Sequence, residues 1–126
     1  MAGLTLDSGA AVAFERGDRR LMAHLKEALQ RGADLTVPTV VVAEVWRGGP
    51  RGARVARLLG ACSVEPLGEG LARTAGEAIA ALPGAGAIDA IVMASAAARG
   101  DRVLTSDPDD LGRLQARFPQ VRLLRI

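Results

Sequence analysis

The stretch 88–111, IDAIVMASAAARGDRVLTSDPDDL, constrains this chain more than any other. Ile88 to Arg99 is a nearly all-apolar helix, so most of its circumference must be covered by other elements. Gly100 stops it, and Arg102 to Thr105 follows at once as a strand. A helix that hands over directly to a strand is half of a crossover between parallel strands. The same alternation recurs along the rest of the chain.

Gly3 to Leu6 predicts a first strand, ending at Asp7 and Ser8, and AAVAFERG a helix stopped by Gly17. From Arg19, RRLMAHLKEALQRG places Leu21, Met22, Leu25, Ala28 and Leu29 at helical spacing, with Gly32 as a C-terminal stop. Ala33 to Val37 predicts a second strand. Pro38 ends it and Thr39 is placed to cap a helix over VVVAEVWR, although three consecutive valines would also suit a strand. Gly48-Gly49-Pro50 breaks that pattern, and a helix over 51–59 and a third strand over Cys62 to Glu65 follow. Gly68 to Leu82 predicts a helix with Leu71, Ala75, Ala78, Ile79 and Leu82 inward, separated by the joint 83–87 from the helix at Ile88. A last helix starts at Asp107-Pro108 and runs through Phe118, before a final strand from Val121 to Leu124. Strands joined by helices, never by two-residue turns, pair in parallel through right-handed crossovers, so the class is α/β.

The 126 residues fit a single domain, and no repeat or linker divides them. The apolar content is Ala, Val and Leu with two Phe, one Trp and no Tyr, which predicts an aliphatic core. One cysteine, Cys62, excludes a disulfide framework and a cysteine metal site, and is simplest as a buried strand residue. No basic leader precedes an apolar run and no segment is long enough for a membrane span, so a soluble, cytoplasmic protein is expected.

The acids carry the chemistry. In an open parallel sheet the ligand site lies beyond the carboxyl ends of the strands, where Asp7 and Asp107 fall. Each alone also reads as a helix N-cap, and Pro108 at N1 and Asp110 at N3 suit that role. Glu44 interrupts VVVAEVW, a helix expected to be largely buried, where an ionised carboxylate needs a partner. Arg47, one turn on, is the plain structural candidate for an ion pair. Asp89 begins an otherwise apolar helix, where the helix dipole favours an acid in any case. Together, two acids at strand ends and two on buried helices would converge at one end of the sheet and raise each other's pKa values. A divalent cation relieves that conflict, and oxygen ligands without His or Cys favour Mg²⁺ or Mn²⁺ over Zn²⁺.

Across LTLDSGA, PTVVVAEVWRG, AIDAIVMASAAARGD and VLTSDPDDL the chain resembles the PIN domain family, and within it the VapC-type toxins of bacterial toxin–antitoxin pairs. The resemblance covers essentially the whole chain and implies one PIN-like domain over 1–126: a three-layer fold with a central parallel sheet of about five strands and helices on both faces. It implies a metal-dependent endoribonuclease, with Asp7, Glu44, Asp89 and Asp107 as the catalytic acids. Asp7, Asp89 and Asp107 would hold Mg²⁺ or Mn²⁺. Glu44 would be a further ligand or the base that orients the attacking water. Asp110 would be an outlying acid, and Thr105 or Ser106 the hydroxyl near the metal. A small antitoxin whose tail covers the acidic groove, and a homodimer, are also implied. Ser8-Gly9 departs from many relatives, which carry Thr or Ser followed by a bulkier residue.

A polyanionic substrate needs cations. Fifteen of the 16 basic residues are Arg, whose planar fork suits phosphate oxygens, and setting aside the four acids leaves sixteen basic against ten acidic residues. Arg47, Arg51, Arg54 and Arg57 flank the glycine break and are candidate phosphate contacts, or else a solvated helix face. Trp46 reads as a core or dimer contact rather than a stacking platform, and His24 has no partner motif. Two alternatives to the nuclease stand: a catalytically idle PIN-fold module that only binds a protein, and a receiver-like Mg²⁺-binding signalling domain. The second lacks its late strand-end lysine, since Lys26 is the only Lys and lies in an early helix.

Overall fold

The computed structural model describes residues 2–126. Among them five strands, β1 (Leu4–Leu6), β2 (Leu35–Pro38), β3 (Ser63–Glu65), β4 (Arg102–Thr105) and β5 (Leu123–Arg125), are separated by α-helices. Seven such helices are present in the described residues: α1 (Ser8–Glu15), α2 (Arg19–Gln30), α3 (Thr39–Val45), α4 (Ala53–Gly60), α5 (Glu69–Ala81), α6 (Ala87–Arg99) and α7 (Pro108–Leu114). Every strand pairing is parallel, in the order β3-β2-β1-β4-β5. The α/β class and the central five-stranded sheet therefore match the expectation.

This order has a consequence for function. From β1 the chain builds outward through β2 to β3, then returns to lay β4 on the other side of β1 and β5 beyond it. The boundary between β1 and β4 is where the winding reverses. Connections on its two sides leave in opposite directions, which opens a crevice at the carboxyl ends of these two strands. Right-handed crossovers on either side of that reversal put helices on both faces: α1 packs with α2, α3 and α4, and α6 packs with α5 and α7.

The core follows from the apolar runs. Leu4, Leu6, Val37, Val103 and Leu104 are buried in the central strands. Helix α6 buries every residue from Ala90 to Ala96, because it lies on β1, β2 and β4 and is clasped by α5 and α7. Its alanines allow that close approach, while Val92 and Met93 fill the space; burying a side chain of that size contributes about 1.5–3 kcal/mol. Gly100, at φ +72°, supplies the left-handed residue that ends α6 and turns the chain into β4.

Element ends differ from expectation where tertiary contacts override local signals. Pro38 is the last residue of β2, paired with Glu65, because its missing N–H is tolerated where the ladder stops. Thr39 does not cap α3. It is the first residue of that helix, and its hydroxyl accepts from the Leu67 N–H at 3.3 Å. Helix α7 closes at Leu114 rather than Phe118, and a turn over 115–117 follows it. On α2 the buried stripe is Leu21, Leu25 and Ala28, whereas Met22 and Leu29 are 44% and 56% exposed. They line an apolar groove with Phe14 and Leu58 instead of entering the core.

Candidate active site

The crevice between the ends of β1 and β4 is acidic. A cavity of about 270 Å³ is lined by Asp7, Glu44, Asp89, Asp107 and Asp110, together with Ser8, Gly9 and Ser106. Four different helices and two strand ends deliver these groups. The four principal acids of the sequence are thus brought to one place.

Each arrives for a local reason. Asp7 follows β1 and caps α1, its Oδ1 accepting from the Ala10 N–H at 2.8 Å, and is only 7% exposed. The capping reading and the pocket reading of Asp7 therefore both hold. Asp107 occupies the N-cap position of α7, yet its side chain makes no capping hydrogen bond. Its backbone N–H donates to Thr105 Oγ1 at 2.9 Å, which turns the loop at the end of β4 and leaves the carboxylate available to the crevice. Asp89 is half-buried in the first turn of α6.

Glu44 corrects the expectation. Helix α3 is short and buries only Val41 and Val45, so Glu44 lies outside that stripe and is exposed. Arg47 is not its partner, donating instead to the carbonyl of Trp46 at 2.8 Å. The Ser8 hydroxyl donates to Glu44 Oε1, joining the first turn of α1 to α3 across the mouth of the pocket.

Electrostatics reflect the crowding. Burial pushes the Asp7 carboxyl above its ordinary value, and the charges of Asp107 and Glu44 add to this, against hydrogen bonds from Thr105 and Ala10 that favour the anion. Asp89 is likewise raised by burial first, then by Asp7, Asp110, Glu44 and Asp107. Asp110 is raised by sharing a hydrogen bond with Asp107 and by that neighbour's charge. Negative charge is in excess here, and among the described residues no cation is paired to Asp7 or Asp89. Among the described residues no three His, Cys, Asp or Glu side chains converge tightly enough to form a preassembled metal cage.

The two hydroxyls proposed from sequence separate. Ser106 lines the pocket, whereas Thr105 is fully buried behind it, bonding the Asp107 N–H and supporting Asp7. None of Arg47, Arg51, Arg54 and Arg57 lines the pocket. Arg54 is tied to the Glu15 carbonyl at 2.7 Å, at the opposite end of α1 from Asp7, and Arg57 borders the apolar groove. Trp46 is 44% exposed, which removes the core reading. His24 is half-buried on α2 outside the pocket. Cys62 precedes β3 rather than lying in it, and partial burial pushes its thiol up to about 11.

Ser8 and Gly9 were not identified as site residues from the sequence, although the departure from relatives at these positions was the signal. Gly9 has a specific reason to be glycine. A Cβ there would stand 2.1 Å from Ser106 Oγ and 3.4 Å from Asp7 Oδ1, so the Ser106 side chain would have to move aside.

A parallel sheet with an acid-lined crevice at its winding reversal defines an α/β protein of the carboxylate-site class. A family model for the PIN domain matches residues 4–116, and the chain belongs to that family. Among solved structures it is similar to VapBC2 from Rickettsia felis bound to a promoter DNA fragment (TM-score 0.77, 16% identity, 98% of each chain covered). It is similar also to DNA-bound VapBC from Salmonella typhimurium (TM-score 0.73, 16% identity, 99% of this chain and 98% of that one). A toxin–antitoxin complex from Klebsiella pneumoniae superposes as well (TM-score 0.73, 18% identity, 99% and 100% covered). At such identities these likenesses establish the fold. No curated protein sequence matches the chain.

Proposed function

We propose that this protein is a divalent-metal-dependent endoribonuclease, the toxin of a VapC-type toxin–antitoxin pair. The observation that carries the reading is the convergence of Asp7, Glu44, Asp89 and Asp107 on one pocket at the β1/β4 winding reversal. The similar structures, described as VapBC and toxin–antitoxin complexes, support the biological role and a small antitoxin partner.

Asp7, Asp89 and Asp107 are assigned to hold Mg²⁺, for which Mn²⁺ substitutes, and the excess of anionic oxygen without nitrogen or sulfur donors fits that choice. Such a cation supplies an activated water and neutralises charge developing on the phosphate. Glu44, exposed and hydrogen-bonded by Ser8, is assigned the role of orienting the attacking water and accepting its proton. Asp110 lies in the same pocket beside Asp107 and is assigned as an outlying acid. Ser106 contributes a hydroxyl to the wall, and Thr105 sets the loop from behind. A cytoplasmic homodimer is the expected state, the exposed Trp46 being a candidate contact between copies. Among the described residues no helix is long and apolar enough to cross a membrane.

The test is cleavage of bulk cellular RNA by purified, partner-free protein with Mg²⁺ or Mn²⁺. Asp89→Asn should lower the rate by about 100-fold or more, the range for loss of an electrostatic group at a reacting centre. Cleavage by Asp89→Asn as fast as by the parent would sink the assignment. No cleavage by the parent with either metal would favour the idle protein-binding module.

A further inference from the structure

The acidic pocket does not end at its own walls. A second groove of about 400 Å³ shares Gly9 and Ser106 with it, and continues along α1 past Val12 and Ala13 to Arg16 and Ile126. The two cavities therefore meet over the bare Cα of Gly9. Any larger residue would raise a ridge there, since a Cβ would already crowd Ser106 Oγ and approach Asp7 Oδ1.

The groove differs from the pocket in charge. Arg16 is the C-cap residue of α1, is exposed, and makes no ion pair among the described residues. Among the described residues that line the groove, the acidic side chain is Asp18, one oxygen of which is engaged in capping α2 through the Leu21 N–H at 2.8 Å. Val12 and Ala13 are half-buried and give an apolar floor between Arg16 and Gly9. A free guanidinium one groove-length away from a reacting centre, with an apolar strip between, matches one chemistry well. That is a phosphodiester strand whose next phosphate meets the cation while ribose or base covers the strip. Arg54, by contrast, does not line the groove and donates to the Glu15 carbonyl at 2.7 Å.

We propose that the groove from Gly9 to Arg16 carries the single-stranded RNA on one side of the scissile phosphate, with Arg16 as the phosphate contact. The proposal rests on the nuclease reading, and its test separates the two. Binding of a labelled single-stranded RNA of about eight nucleotides is followed by fluorescence anisotropy in Ca²⁺, which screens the acids but supports hydrolysis poorly. Cleavage of the same strand in Mg²⁺ is measured separately. Arg16→Ala should weaken binding about five- to tenfold and reduce the slope of log affinity against log salt by about 0.7, the value for one phosphate contact on a single strand. Arg16→Lys should recover most of the loss, while the Mg²⁺-dependent thermal shift of Arg16→Ala stays at the parent value.

An Arg16→Ala affinity equal to that of the parent overturns the groove and leaves the nuclease reading standing. So does a loss that falls on Arg51→Ala instead, which would run the strand over α4. Failure of the parent to bind RNA overturns the groove as well, as does equal competition by a polyaspartate peptide of matched charge. Binding that depends on Arg16 without cleavage in Mg²⁺ supports the groove and removes the nuclease reading.

Discussion

Asp107 distinguishes a structural acid from a functional one. Its position before Pro108 is that of a helix cap, but its carboxylate makes no capping bond, so exchanging it for Asn removes charge without removing a cap. Millimolar Mg²⁺ or Mn²⁺ should raise the melting temperature of the parent, and Asp107→Asn should abolish that rise. Asp89 offers a test by pH. Its pKa is raised above the ordinary 3.8 by burial and by its acidic neighbours. A carboxyl so perturbed contributes stability that is fully present below 3.8 and lost as pH rises through its elevated folded value. In metal-free buffer, Asp89→Asn should therefore stabilise the protein at pH ~7.5, by about 1–3 °C in Tm, with the gain vanishing near pH 4. A gain that is constant with pH, measured by thermal melts across that range, would contradict the crowding of charge.

Helix α6 was recognisable as a buried element because its apolar residues leave no polar face, and its glycine stop and returning strand were equally plain. Its far end was not. Arg99 donates to Glu65, to Asp101 at 3.0 Å and to Thr5 Oγ1 at 2.7 Å, while Ser95 Oγ donates to Glu65 at 2.6 Å. This network ties the C-terminus of α6 to β1, β3 and the start of β4, drawing residues from three distant parts of the chain. Asp101, 7% exposed, depends on it. Arg99→Met should cost about 2 kcal/mol, since it leaves the buried Asp101 and the partly exposed Glu65 short of their cation; urea unfolding checks this. A cost under about 0.5 kcal/mol would mean that Thr5 and water suffice. Helix α3 shows the opposite error. Its run of apolar residues suggested deep burial, yet a short helix at the sheet's end covers only one stripe, so Glu44 and Trp46 face outward.

For the molecule as a whole, the sequence determined the alternation of strand and helix, and hence parallel pairing and the α/β class. It determined too that Asp7 and Asp107 each end a strand, because apolar runs and Gly or Pro stops are local signals with local geometry. Only the tertiary structure decided that β4 lies against β1 instead of beyond β3. No local signal encodes that order, which depends on which apolar faces cover one another once the chain collapses. It is this order that brings Asp7 and Asp107 to one pocket, which Asp89 also lines. The same holds for finer contacts: sequence proximity suggested Arg47 for Glu44, and the fold supplied Ser8, thirty-six residues away. The acids were readable because each sits where its own element begins or ends. Their partners were not, because partners come from elements that meet only in the folded chain.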